Sequence, residues 1–441
     1  MHNRQHLKET IVLSGPLIVS QVGHIITGMV DTIFLGNIGK TEQAAGIFAN
    51  NIFLLLLVFS IGLSYSITPL VSEANAQNNN EKKASLFVNG AVLNIAVSIL
   101  LFILLFISSP LLTLLGQPHD VVQLSIPFFN VLALSIIPVS LFFIGKQFTE
   151  GLSNTKIAMV ISIIGNLLNI LLNYLLINGI FGLPKMGYMG SCWATFIARV
   201  FMGILFMIII LQHSWFKALK PYFKRARILK SDLLSLFKLG VNSGFQFLVE
   251  VAAFSCLGMM VGWIGKEEID AHGIALSLAS FTYMFSSGIS GAASIRVSHF
   301  AATSDSINIK KAGISALLIT TIFMSTMAIL FLILHTTLPK LFSTDKEIIK
   351  LSGDLLCIAA LFQLFDGIQV TSLGILRGVQ EMRFPTLVTL IGYWIIALPL
   401  AYFLGFTLNL GVIGIWSAIS TGLAIVAILL TLRFRKIILQ D

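Results

Sequence analysis

Charge is scarce in this sequence, and acid scarcer than base. Lysine, arginine, aspartate and glutamate make up 11% of the 441 residues, with 19 acids against 28 bases. A soluble domain carries roughly 25% charged residues, so a water-facing shell around an ordinary core is excluded. Cysteine is nearly absent. Cys192, Cys256 and Cys357 each lie inside an apolar stretch without CxxC spacing, which argues against a disulfide framework and against a thiolate metal centre. There is no phosphate-binding loop, no HExxH and no nucleophile elbow, so the chain has no means of using ATP itself. The expectation is a protein that is not an enzyme and needs no cofactor.

What the chain has in abundance is hydrophobicity: 56% apolar residues and a mean hydropathy of +0.93. Apolar runs long enough to cross a bilayer recur along the whole length, since about 20 residues at ~1.5 Å each span ~30 Å of hydrocarbon. The ~10-residue alternating segments of a membrane β-barrel are missing. The reading is an all-α polytopic membrane protein with twelve transmembrane helices, the first over 11–35 and the last over 411–434. Its opening residues, MHNRQHLKETIVLSGPLIVSQ, are basic and then apolar like a signal peptide. The apolar run continues past Gly28 without a cleavage site, which predicts a retained first helix. Pro16, Pro138 and Pro399 fall inside spans and are the expected kinks.

The formal charge of +9 comes mostly from short loops between spans, not from one solvated face, so nucleic acid is not an expected partner. Lysine and arginine favour one side: Arg4, Lys8, Lys82, Lys83, Lys156, Arg383, Arg435 and the stretch KALKPYFKRARILK fall together. The opposite side holds little more than Lys40, Lys185, Lys266, Lys340, Lys346 and Lys350. Positive charge marks the cytoplasmic side, so both termini are expected there. The basic stretch lies in the longest charged connection and divides the chain into an N-terminal lobe (1–212, spans one to six), a cytoplasmic linker (213–232) and a C-terminal lobe (233–441, spans seven to twelve).

The two lobes repeat. IGK at 38–40 returns at 264–266, AAGI at 44–47 as AHGI at 271–274, EGLSNTK at 150–156 as RGVQEMR at 377–383, and GYMGSCWA at 187–194 as GVIGIWSA at 411–418. Four matches in order at nearly constant offset, with an even number of spans per lobe, imply two six-helix lobes related by a pseudo-two-fold along the membrane normal, with a central cleft between them.

Within this apolar background a few ionisable residues stand out. Glu250 is the one ionisable residue between Leu239 and Gly265, ~16 Å along the helix from the Leu239 end. A carboxylate at that depth costs about 3 kcal/mol on insertion scales, so it is expected to face a cavity and to hold a cation. Asp366, in LFQLFDGIQVTSLG, is a second acid at similar depth. At the repeat offset Glu250 aligns with His24 and Asp366 with Val139, so the C-terminal lobe carries acids its twin lacks. A purely structural role would more readily be duplicated. Two carboxylates converging on one cavity repel, which suits sharing a proton, and their hard oxygens could equally surround Na+. Arg199 lies mid-span and calls for an acid partner or a cavity. His24 and His272 fit core positions as well as a proton relay.

VDTIFLGNIG in the first span, FQFLVEVAAFS with AHGIALSLASFTYMFSSGISGAASIRVSH, and LFDGIQVTSLGILRGVQEMRFP resemble the multidrug and toxic compound extrusion (MATE) family, above all its NorM-type branch. The likeness covers nearly the whole chain. It implies cation-coupled efflux of amphipathic, cationic organic compounds by alternating access, with Na+ or H+ flowing inward, in a bacterial inner membrane and conferring drug resistance. It implies coupling roles for Glu250, Asp366 and Asp31, with Glu250 and Asp366 as the Na+ ligands if sodium is the ion. Asn169 and Asn173, four residues apart on one helix face, together with Arg199 and Gln246 would be polar cavity residues. Phe362 stands where some members place a Tyr, which leaves a Na+ shell one oxygen poorer. Small organic molecules and lipids are the expected partners, and the expected state is a monomer. The alternative is a lipid-linked oligosaccharide flippase of the same superfamily, which would want a basic cleft where Arg199 alone is basic and deep.

Overall fold

The computed structural model describes residues 3–440, and among these no strand is present. Sixteen α-helices follow in order: α1 (Asn3–Ile38), α2 (Lys40–Ser64), α3 (Ile67–Ala76), α4 (Asn80–Ser108), α5 (His119–Leu134), α6 (Ile136–Gly151), α7 (Thr155–Asn178), α8 (Tyr188–Gln212), α9 (Lys220–Phe223), α10 (Lys230–Ile264), α11 (Lys266–Ala301), α12 (Ser306–Leu334), α13 (Lys346–Gly378), α14 (Arg383–Leu390), α15 (Leu398–Tyr402) and α16 (Gly411–Gln440). Consecutive pieces merge into 11 segments long and apolar enough to cross a membrane. The twelfth expected span lies in α11, which has the length, at 36 residues, but not the apolarity. Ser286, Ser290 and Ser294 on it are buried in protein, so their hydroxyls never meet lipid.

Proline explains the breaks, though not always where the sequence suggested. Pro138 lacks the N–H that would bond the carbonyl of Leu134, and α5 ends at that residue. Pro69 does the same to Tyr65, between α2 and α3. Pro399 sits between two π-helical stretches, Ile391–Ala397 and Phe403–Thr407. Pro16 makes no such break: α1 runs unbroken for 36 residues, ~54 Å.

The chain divides into two compact units, Val22–Gly244 and Met1–Gln21 together with Phe245–Asp441. Each unit therefore takes in the first half of the long helix that opens the other repeat. In the unit Val22–Gly244, Asp232 at the start of α10 accepts from Lys82 Nζ and Ser85 Oγ, both at 2.6 Å. Gly62 on α2 lies so near Gly244 that a Cβ on Gly62 would meet the Gly244 Cα at 2.7 Å. In the other unit, His6 of α1 meets Asn308 Oδ1 at 3.0 Å, and a Cβ on Gly288 would meet the backbone nitrogen of Ile18 at 2.8 Å. Adding 226 to 6, 18, 62 and 82 gives 232, 244, 288 and 308, so the two half-helices dock by equivalent residues.

Backbone conformation repeats as faithfully. Non-glycine residues with positive φ pair across the halves, Asn78 (54°) with Ser304 (52°) and Ser153 (63°) with Gln380 (59°), as do Gly187 (56°) and Gly411 (60°). L-residues seldom adopt this region, so its recurrence at matched turns reports one architecture built twice. In the second unit α11 and α13 approach through small residues, Gly367, Gly374 and Gly378 lying against Ser286, Ser290 and Ser294. Such surfaces let helices approach closely without a hydrophobic driving force, and this contact fixes the helix that carries Asp366.

Candidate functional site

In the unit that contains α13, Glu250 is buried on α10, with 7% of its surface exposed. Gln246, one turn earlier on the same helix, donates from Nε2 to Glu250 Oε2 at 2.6 Å. Gln369 of α13 donates from Nε2 to Oε1 at 2.9 Å. The hydroxyl of Tyr393, on the first π-helical stretch, donates to Gln369 Oε1 at 2.9 Å. The donors thus run one way, from phenol to amide to carboxylate. Glu250, Gln246, Gln369 and Tyr393 come from three segments, with Gln369 119 residues from Glu250 and Tyr393 a further 24 along, and all four are buried.

Asp366 lies three residues before Gln369 on α13 and is 5% exposed. It is within electrostatic reach of Glu250 and takes no hydrogen bond among the described residues. The pair expected from the sequence is therefore brought together, one member clamped by amides and the other not. Arg377, a few turns along α13, also acts electrostatically on Glu250. Near the pair, Phe254 lies 5.8 Å from Tyr393 and 6.3 Å from Phe362, and Phe362 lies 5.8 Å from Trp416, centroid to centroid, all four packed in one buried apolar core. Two buried amide atoms, Gln246 Oε1 and Gln363 Nε2, have no hydrogen-bond partner among the described residues. No three His, Cys, Asp or Glu side chains converge as a metal site among those residues.

In the unit Val22–Gly244, Asp31 of α1 accepts from Asn173 Nδ2 at 2.8 Å and from Thr195 Oγ1 at 3.1 Å. Asn169 donates to the same threonine at 3.1 Å. Asn173 thus bonds Asp31 directly, and Asn169 is linked to it through Thr195. Arg199 donates to Ser135 Oγ and lies 5.1 Å from the ring centroid of Phe53. Asp31 reaches it electrostatically, with no direct ion pair. His24 packs edge-on against Phe142 at 5.9 Å. His272 Nδ1 accepts from Trp416 Nε1 at 3.1 Å, and since indole only donates, the ring proton belongs on Nε2.

Gln369 and Tyr393 were not singled out from the sequence. A signal was there for Gln369, an uncharged polar residue three positions from Asp366 and hence on its helix face. Tyr393, inside IGYWIIALP, offered none, because its reach to Gln369 depends on packing.

Long apolar helices in two related units, with carboxylates buried among them, define a multi-pass membrane transporter built by duplication. The sequence model of the MatE family matches residues 16–175 and again 243–403, one copy per half, and the chain belongs to this family, on its NorM branch. A probable multidrug resistance protein NorM of Agrobacterium fabrum is 31% identical, over 99% of this chain and 95% of that one. The multidrug resistance protein NorM of Photobacterium profundum is 30% identical, over 100% and 98%. A eukaryotic MATE transporter, AtDTX14, superposes with a TM-score of 0.89 at 20% identity, covering 98% of this chain and 96% of that one. A MOP-superfamily transporter from Pyrococcus furiosus does so at 0.90 and 16%, with the same coverage. The chain is thus a bacterial membrane transporter, not an enzyme.

Proposed function

We propose that this chain is a multidrug efflux antiporter that exports amphipathic organic cations in exchange for an inward-moving cation, taken up at Glu250 and Asp366. The observation that carries the reading is Glu250 itself, a carboxylate buried inside a spanning helix, held by two amides and paired with a second acid. Deep acids of this kind mark ion pathways because nothing less than function offsets their cost. The relatives' names as multidrug resistance proteins support drug efflux.

The coupling ion in this reading is H+. Both oxygens of Glu250 receive N–H donors, whereas Na+ wants a shell of oxygens. Phe362, where a tyrosine would add one, points the same way. A proton binding the pair favours the state that releases the drug, and by linkage the drug disfavours the protonated state. Asp31, with Asn169, Asn173 and Thr195, forms a second protonatable site. Both termini lie in the cytoplasm, and the membrane is the inner one, following the asymmetry of lysine and arginine.

The test is uptake of a labelled organic cation, driven by an imposed pH gradient, into proteoliposomes carrying Glu250→Gln or Asp366→Asn, with protein levels checked by immunoblot. Each variant should incorporate normally and lose gradient-driven transport. Transport at the parental rate in both would refute the assignment.

A further inference from the structure

The segment between α8 and α10 is more than a tether. Phe216 is fully buried and Leu219 is 6% exposed. Phe216 stacks on Phe148 at 6.3 Å, while Phe223 lies 5.4 Å from Phe87. Asn89 of α4 grips the far end, donating to the carbonyl of Arg227 at 3.0 Å and accepting from the backbone N–H of Leu229 at 2.9 Å. Lys220 Nζ donates to the carbonyl of Gln212 at the end of α8, at 2.7 Å. The segment is folded onto the unit Val22–Gly244 at both ends and in the middle.

Holding the apolar side chains inward turns the basic ones outward. Lys217, Lys224, Arg225 and Arg227 are exposed, and from Gln212 to Ser231 there is no acid. The nearest acid, Asp232, is 1% exposed and already answered by Lys82 and Ser85. Trp215 (48% exposed) and Tyr222 (36%) share the outward side. Basic residues interspersed with exposed Trp and Tyr, at the ends of two spans, match the chemistry of a membrane interface. Setting topology requires only a count of charges; it does not require a folded segment that presents them on one fixed surface.

We infer that residues 215–227 form a docking surface for the headgroups of anionic phospholipids in the adjoining leaflet, bound by the four exposed bases and flanked by Trp215 and Tyr222. The charge complementarity is one-sided, and juxtamembrane bases of this kind are attracted to anionic lipid.

The experiment uses the full chain in vesicles of phosphatidylcholine, alone or mixed in equal parts with phosphatidylglycerol, followed by mild extraction and native mass spectrometry of retained lipid. The parental protein should retain phosphatidylglycerol in preference to phosphatidylcholine. The variant Lys217→Gln/Lys224→Gln/Arg225→Gln/Arg227→Gln should retain at least ~10-fold less phosphatidylglycerol. A control with Lys40, Lys266, Lys340 and Lys346 changed to Gln removes the same charge elsewhere and should retain it as the parent does. An absence of preference in the parental protein would overturn the proposal, whatever the variant's stability. Equal loss in the control would overturn it too, by assigning the effect to net charge.

Discussion

At the scale of single residues, the organising fact is that Glu250 does not stand alone. A hydrogen bond to a charged group contributes about 1.5–3 kcal/mol, and a buried carboxylate that loses a donor bears the desolvation. Transport should therefore fall in a graded order. Glu250→Gln abolishes it, Gln369→Ala lowers it ~10- to 100-fold, and Tyr393→Phe, one bond further out, lowers it least. Initial rates of labelled-cation uptake in everted vesicles would check this; equal rates for Gln369→Ala and the parent would remove the amide from the site. Outside the spans, Asp305 caps α12, accepting from the backbone N–H of Asn308 at 3.0 Å and from its side chain at 2.6 Å. These hydrogen bonds, the backbone one foremost, hold the Asp305 carboxyl below the usual carboxylate range. Because folding lowers this pKa, the cap's contribution is complete above the ordinary carboxylate pKa and is lost as pH falls through the folded value. Hydrogen exchange in the first turn of α12 should accelerate relative to the rest of that helix as the medium is acidified through that window.

Among elements, the half-helices at the start of α1 and α10 are tightly constrained. Each lies against its unit with no room for a Cβ at one crossing, Gly62 beside Gly244 in one case and Gly288 beside Ile18 in the other. Gly62→Val and Gly288→Val each force backbone apart, and overpacking of this kind costs typically 1–3 kcal/mol. Both should lower the melting temperature in detergent, by similar amounts because the contacts are equivalent. A neutral Gly288→Val beside a damaging Gly62→Val would show that equivalence of position is not equivalence of load. The π-helical stretches around Pro399 belong to this scale as well. They break the regular register of the segment that carries Tyr393, and such interruptions are frequent at functional sites.

For the whole molecule, duplication supplies the scaffold and asymmetry supplies the chemistry. His24 and Glu250 occupy equivalent positions in the two repeats, yet one packs against phenylalanine rings and the other anchors a chain of hydrogen bonds. On the proposed reading, with H+ as the coupling ion, an uncoupler should stop efflux from cells whose ATP is held constant. Replacing external Na+ with choline should leave efflux unchanged; a collapse on that replacement would reassign the ion to sodium and call for a different shell around Glu250.

The membrane class, the helix count to within one, the duplication and the acids at depth follow from sequence, because each is a property of local composition or of spacing along the chain. Apolar length decides whether a segment spans, and a rare charge in such a segment is conspicuous in one dimension. The partners of those charges are another matter. Gln369 and Tyr393 reach Glu250 only once α10, α13 and a proline-disturbed helix pack together, and Arg199 meets Ser135 and Phe53, not a carboxylate. Which half-helix joins which unit was likewise decided in three dimensions, since close approach at Gly62 and Gly288 depends on surfaces that meet across more than a hundred and eighty residues of chain.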